Sequence, residues 1–273
     1  MSADSDVGST VALLVFGALP GSILLGGAAF VPWRRDLWRP SHLLAMLRRH
    51  GLVLLGLVAM LVPEILESNV DARVTAWVGR DFTPLAQAIG PPHLSTLLQT
   101  AAPVGWFRGL MVAVYVLGYP FLIVAVPATL AWLDDGPRAR QAVAVYALSF
   151  LAALPFYLFV PVREVWTQAG EAPNLVLQHP WVARHLYSFN DVNNCFPSLH
   201  TAMSVGLACV AAQSRHRRLA RGTVALATAI VFSTMFLAIH WAADVAAGLL
   251  LAGTAAAVAA RLLPSPPDGR DSA

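Results

Sequence analysis

The sequence predicts an all-α protein, a polytopic membrane helical bundle with six or seven transmembrane helices. Three observations predict it. Hydrophobic residues fill 57% of the 273 positions and charged residues only 12%, about half the charged share of an ordinary soluble domain. The apolar residues fall in runs close to the roughly 20 residues that a helix needs to cross a bilayer. The 18 basic residues, all of them arginine, sit beside those runs more than within them.

The elements follow in order. Span one is read over residues 8–32, rich in glycine and alanine, which lets helices approach closely in lipid. It is expected to be a retained span, because a secretory signal would open with positive charge and residues 1–6 offer no basic side chain. Trp33 to Arg49 holds five arginines, with tryptophans at interface depth. Span two is read over 51–66, with Pro63, Glu64 and Glu67 marking its end. Residues 67–108 place Leu85, Ile89, Leu94, Leu97 and Leu98 around the break Gly90-Pro91-Pro92. That pattern suits short amphipathic helices on the membrane surface or capping the bundle; a re-entrant segment is the alternative. Span three (109–133), the turn Asp134-Asp135-Gly136-Pro137 and span four (141–160) come next. A long loop, 161–197, leads to span five (198–213), an arginine-rich loop (214–221), span six (222–239) and span seven (240–263). The chain thus divides into N-terminal membrane helices with a basic cytoplasmic loop (1–66), an extracytoplasmic amphipathic segment (67–108), a catalytic membrane core (109–263) and a polar tail (264–273) expected to be disordered.

Arginine placement sets the expected orientation. The connections 34–49, 138–140, 215–221 and the C-terminal side hold thirteen arginines, and 67–108 with 161–197 hold five. The excess marks the first group as cytoplasmic. The N-terminus is then outside and the C-terminus inside, and the starts of spans five and seven fall on the outer face. The expected location is the plasma membrane. The arginines beside spans are explained by orientation and lipid headgroups, and the net charge of +3 is small, so no nucleic-acid partner is expected. Cys195 and Cys209 are too few and too separated for a disulfide framework or a thiolate zinc site.

Two stretches at the outer face carry chemistry: Asn193-Asn194-Cys195-Phe196-Pro197-Ser198-Leu199-His200 and His240-Trp241-Ala242-Ala243-Asp244. Each sets a histidine at the edge of an apolar run, where ionisable groups are costly and by default functional. Asp244 follows His240 by four residues, one helical turn on the same face. It can accept the Nδ1 proton and leave Nε2 as a nucleophile or base. His200 falls in the first turn of a helix, where unpaired N–H groups point at a bound anion. A phosphate docked there would meet His200 as a general acid for the leaving oxygen. Arg163 could clamp phosphate oxygens through two donors at once, with Arg184 as its rival and a plain interfacial anchor as the alternative. Ser198 and Asn194 are candidate polar contacts to the substrate. Metal ligation by His200, His240 and Asp244 would leave the phosphate-ready helix start unexplained, so no metal is assigned. His42, His50, His93, His179, His185 and His216 read as interfacial residues.

The stretch Phe196-Pro197-Ser198-Leu199-His200-Thr201-Ala202, with Ser233, His240, Asp244, Val245 and Gly248 at their spacing, resembles the type 2 phosphatidic acid phosphatase superfamily. The form Phe-Pro-Ser-Leu-His is most similar to its inositol phosphorylceramide synthase branch, the inositolphosphotransferase-like group. The resemblance covers spans three to seven. It implies that His240 forms a phosphohistidine, that Asp244 orients it, and that His200 protonates the leaving group and then activates water or an acceptor alcohol. It implies no metal and no cofactor, a lipid phosphate as substrate and a reaction at the extracytoplasmic face. Three departures from the phosphatase branch bear on the substrate. The chain has no lysine and Arg163 precedes Glu164, Leu199 replaces a glycine before the second-motif histidine, and Thr234 replaces an arginine six residues before the third-motif histidine. The synthase-like branch shares the leucine and lacks that arginine, so the departures lean toward it.

Overall fold

The computed structural model describes residues 19–60, 62, 70, 73–91, 93–102, 104–180, 182–183 and 192–264. The first part of the expected span one, Glu64, Glu67, Trp181, Arg184, His185, Tyr187 and the tail from residue 265 lie outside them. The described chain is helical, with no strand; an isolated parallel bridge pairs Val162 with Asn194. The elements used below are α1 (Leu19–Phe30), α2 (Pro40–Ala59), α3 (Thr83–Ala88), α4 (Leu94–Ala101), α5 (Gly105–Ala113), α6 (Tyr119–Trp132), α7 (Gly136–Phe159), α8 (Leu199–Ala212), α9 (Arg217–Phe236) and α10 (Ala242–Leu262). A π-helical turn, Val114–Gly118, joins α5 to α6 without a break.

Among the described residues, five helices are long and apolar enough to cross a membrane: Pro40–Ala59, Gly105–Trp132, Gly136–Phe159, Arg217–Phe236 and Ala242–Leu262. They mark an integral membrane protein. Helices α1 and α8 are apolar but shorter. Span two begins eleven residues earlier than the hydropathy pattern places it. Pro40 sits at the helix start, where its missing N–H costs nothing. The helix therefore runs through Arg48 and Arg49, and Arg49 reaches across to Asp134 at 3.0 Å.

Helix α8 is the centre of the bundle and packs against α6, α7, α9 and α10. Leu130, Val145, Leu207, Leu219 and Ile230 are fully buried around it. Gly206 permits the close approach of α7, since a Cβ there would lie 2.5 Å from Val145 Cγ1.

The bundle has two chemically different ends, joined by the 24-residue helix α7, about 36 Å long at 1.5 Å per residue. At one end His50 and Arg49 meet Asp134, Arg138 donates to Gln213, and Gln141 donates to the Leu263 carbonyl. At the other end lie the loop after α7 and the starts of α8 and α10. Here α3 packs on α10 and α4 on α9, and the Gln99 amide donates to the carbonyls of Pro173 and Phe236. The amphipathic stretch thus covers the end of the bundle that holds both histidine motifs.

Candidate active site

Helix α8 opens on Ser198, whose Oγ accepts the Thr201 N–H at 3.2 Å. This N-cap fixes the first turn and sets His200 at its second residue. On the other side, α9 ends at Phe236 and the chain turns through Ala238, at φ 61°. His240 N–H then donates to the Thr234 carbonyl at 3.3 Å. His240 stands two residues ahead of α10, so it does not share a helical face with Asp244. The two meet across the helix start instead. Asp244 Oδ2 accepts the Trp241 N–H at 2.8 Å and lies 3.5 Å from His240 Nδ1.

The other ring nitrogen of His240 faces its partner histidine: Nε2 is 3.3 Å from His200 Nδ1. The ring of His200 is flanked by Tyr115 and Tyr119, at centroid distances of 4.7 and 4.3 Å. The intervening π turn adds a residue to the helical turn and brings both tyrosines to this histidine. The Tyr119 hydroxyl donates to Met203 Sδ at 3.1 Å.

Backbone hydrogen bonds pin the two motifs to each other and to the loop after α7. Ser198 N–H donates to the Asp244 carbonyl at 3.1 Å. Val162 N–H donates to Asn193, Cys195 N–H to Val162, Val165 N–H to Ile239 and Trp166 N–H to Ala238. Trp241 Nε1 donates to the Arg163 carbonyl at 2.9 Å, and the Tyr157 hydroxyl to the Pro197 carbonyl at 3.0 Å. Helix α10 comes close enough to α8 that a Cβ on Gly248 would sit 2.6 Å from the Ser198 carbonyl oxygen.

The structure thus brings His200, His240 and Asp244 together. Arg163 contributes its backbone to the ladder, while its guanidinium Nε lies 3.6 Å from Asp81 Oδ2 with about half its side chain exposed. Asn194 forms the bridge with Val162, and Ser198 is buried as a cap. Four residues at this end escaped the sequence reading of the site. Tyr115 and Tyr119 sit at a spacing of four inside an apolar run, where aromatics are ordinary core residues. Glu164 is buried and accepts from Trp166 Nε1. Cys195 places its Sγ, together with a nitrogen of His240 and an oxygen of Asp244, in a group of donors no more than 4.8 Å apart. Those three could hold a metal ion.

The arrangement can do nucleophilic chemistry. One imidazole is backed by a carboxylate, a second imidazole faces it, and the pair is desolvated, which strengthens the electrostatic effect of each charge on the other. A model of the PAP2 superfamily matches residues 83–258. The chain belongs to the PAP2 superfamily. The match runs from α3 into the second half of α10 and contains Arg163, His200, His240 and Asp244. PAP2 members are phosphatases and phosphotransferases, and an enzyme of that general kind is what this chain is. No curated protein and no solved structure matches the chain.

Proposed function

We propose that this PAP2 protein transfers the phosphoryl group of a lipid-linked phosphate at the extracytoplasmic face, through a phosphohistidine on His240. The observation that carries the reading is the His200 Nδ1 to His240 Nε2 distance of 3.3 Å, with Asp244 3.5 Å behind His240 at Nδ1. Asp244 favours a proton on Nδ1, leaving the Nε2 lone pair for attack. His200 enters the step as an imidazolium and holds one of its two protons on Nδ1, toward the same point in space. Attack by Nε2 forms the N–P bond as the P–O bond to the lipid breaks, and His200 Nδ1 gives its proton to the departing oxygen. In the second step water or an alcohol attacks phosphorus. His200 takes its proton, and the P–N bond returns its electrons to His240.

The gap as it stands is too narrow for a phosphate. An attacking nitrogen stands roughly 3–3.5 Å from its phosphorus in a reactive complex. The proton donor must lie farther still, beyond the leaving oxygen. Two nitrogens 3.3 Å apart leave no room for that, so the imidazoles part when the phosphate enters. Arg163, at the rim, exchanges Asp81 for phosphate oxygens in this scheme. Ser198 holds the first-turn N–H groups of α8 toward them, and Asn194 adds a polar contact. No metal or cofactor takes part in these steps.

Leu199, Thr234 and the Arg163-Glu164 pair favour the inositolphosphotransferase-like reading, in which an alcohol resolves the intermediate. Hydrolysis of a lipid phosphate or isoprenyl pyrophosphate is the second reading. A detergent-micelle assay separates them, with phosphatidic acid, an isoprenyl pyrophosphate or phosphatidylinositol, with and without acceptor alcohols, followed by phosphate release and lipid mass spectrometry. A new phospholipid formed only with acceptor supports transfer, and free phosphate without acceptor supports hydrolysis. His240→Ala abolishes either product; retained turnover in that variant removes His240 as the nucleophile.

A further inference from the structure

His240 and Asp244 have a neighbour that phosphoryl transfer does not use, the Cys195 thiol. Cys195, His240 and Asp244 are 1%, 4% and 0% exposed, and their Sγ, ring nitrogen and carboxylate oxygen lie within 4.8 Å of one another. Two polar atoms in the cluster are buried without a hydrogen-bond partner: His240 Nδ1 and Asp244 Oδ1. Unmet buried donors and acceptors cost free energy, and His240 Nδ1 stands 3.5 Å from Asp244 Oδ2 beside the Cys195 thiol. We propose that Cys195, His240 and Asp244 form a site for a soft divalent cation of the zinc class, and that the bound ion switches the nucleophile off.

The donor set selects the ion. One thiolate, one imidazole and one carboxylate are three protein ligands to a tetrahedral ion with an open fourth position. Thiolate favours zinc and cadmium over magnesium and calcium. Bond lengths of about 2.0–2.3 Å place tetrahedral ligands roughly 3.3–3.6 Å apart. His240 Nδ1 and Asp244 Oδ2 already stand at 3.5 Å, so the thiol closes the remaining distance. Its present partner is the Ile239 carbonyl at 3.4 Å, a weak bond to give up. Val162, Val165, Trp241 and Ala243 share a hydrophobic cluster with Cys195, and such a dry shell keeps water from competing for the ion.

Binding transfers the thiol proton to solvent and places the ion on His240 Nδ1, the nitrogen that faces Asp244. A neutral imidazole ligated at Nδ1 carries its hydrogen on Nε2. The lone pair that attacks phosphorus is then absent, and Asp244 no longer orients the ring. Inhibition therefore rests on His240 being the nucleophile, whereas binding of the ion does not.

The test uses the full-length protein in detergent, titrated with cobalt(II) as a spectroscopic stand-in for zinc. A thiolate-to-cobalt absorption band is expected in the wild type and in Cys209→Ser, and is expected to vanish in Cys195→Ser. Zinc added to the turnover assay is expected to inhibit wild type and Cys209→Ser, with the half-inhibitory concentration raised in Cys195→Ser by more than the roughly tenfold that loss of an outer partner costs a metal site; magnesium leaves turnover unchanged. If Cys195→Ser does not fold, the ultraviolet cadmium–thiolate band of Cys209→Ser, in which Cys195 is the one thiol left, carries the same information. Absence of the cobalt band in wild type, its persistence in Cys195→Ser, or absence of the cadmium band in Cys209→Ser overturns the site. A band accompanied by undiminished turnover overturns the inhibitory role. A protein that forms the band but transfers no phosphate from any substrate overturns the functional reading and leaves the metal site standing.

Discussion

Replacing Gly248 with alanine should slow the reaction far more than it unfolds the protein. Its Cβ would lie 2.6 Å from the Ser198 carbonyl oxygen and 2.8 Å from Thr201 Cβ, where ordinary contact begins at 3.4 Å. The start of α8 must yield by about 0.8 Å, and both crowded groups belong to the turn that carries His200. Overpacking of this kind costs about 1–3 kcal/mol, and the better helix propensity of alanine offsets about 1 kcal/mol of it. Net destabilisation is therefore about 0–2 kcal/mol. A displacement near 1 Å of a catalytic group costs on the order of 100-fold in rate. Gly253→Ala is the matched control. It lies on the same helix, gains the same propensity, and meets nothing within 4 Å. The expected result is kcat lowered roughly 100-fold in Gly248→Ala and unchanged in Gly253→Ala, with thermal unfolding in detergent measured for both. Wild-type kcat in a folded Gly248→Ala would refute the claim that this helix contact positions the acid.

Asp244→Asn keeps an oxygen for the Trp241 N–H, so its unfolding temperature should stay close to wild type. Its kcat should fall by up to about 10⁴, as in triads that lose this charge; a fall under tenfold would remove the orienting role. Tyr119→Ala removes one ring flanking His200, an interaction worth about 0.5–1.5 kcal/mol, and should lower kcat severalfold. Tyr119→Phe should restore it, and a failure of phenylalanine to rescue would assign the effect to the hydroxyl. At the opposite end of the bundle, the hydrogen bond from His50 holds the Asp134 carboxyl below its ordinary value of 3.8, helped by the charge of Arg49. A depressed carboxylate stabilises the folded state above its unfolded pKa and loses that contribution as pH falls through the folded one. Unfolding temperature should thus drop below pH 3.8, and Asp134→Asn should flatten that acid limb. An unchanged limb would show that this half-exposed carboxylate contributes nothing.

Much of this was legible in the sequence, for physical reasons that differ between residues. Apolar runs report helices in lipid because every backbone polar group there must be satisfied within the segment. Arginine placement sorted the loops into two groups, and the contacts of Arg49, Arg138 and His50 gather the first group at one end of the bundle. That His200, His240 and Asp244 gather in one cluster was legible because ionisable groups at membrane depth are rare. The boundaries were less so. Arg48 and Arg49 look like a loop in a hydropathy profile, yet they lie inside α2, since a long side chain carries its charge to the surface from a helical backbone. The His240–Asp244 spacing suggested one helical face, but Asp244 is drawn to cap the Trp241 N–H and the helix begins after the histidine. Tyr115 and Tyr119 had no signal, because an aromatic in an apolar run has the same pattern whether it fills the core or lines a site; Cys195 lay in the motif stretch, but a lone thiol there does not announce a partner.

The residues that sequence reasoning missed bear on how the site opens. In the proposed reaction His200 and His240 must separate for a phosphate to enter, and the backbone has little freedom to separate them. Ser198 N–H is bonded to the Asp244 carbonyl, Gly248 is in close contact with Ser198, and α8 is surrounded by four helices. Rigid-body movement of the two helix starts would break that bond and disturb the core. A rotation of the His200 side chain changes no backbone contact, but it must slide along the rings of Tyr115 and Tyr119. Offset aromatic contacts have no directional hydrogen bond to break and lose little as one ring shifts over another. Tyr115 on the π turn and Tyr119 just after it therefore suit both needs of the proposed reaction: they hold His200 against His240, and they guide it aside when the substrate arrives.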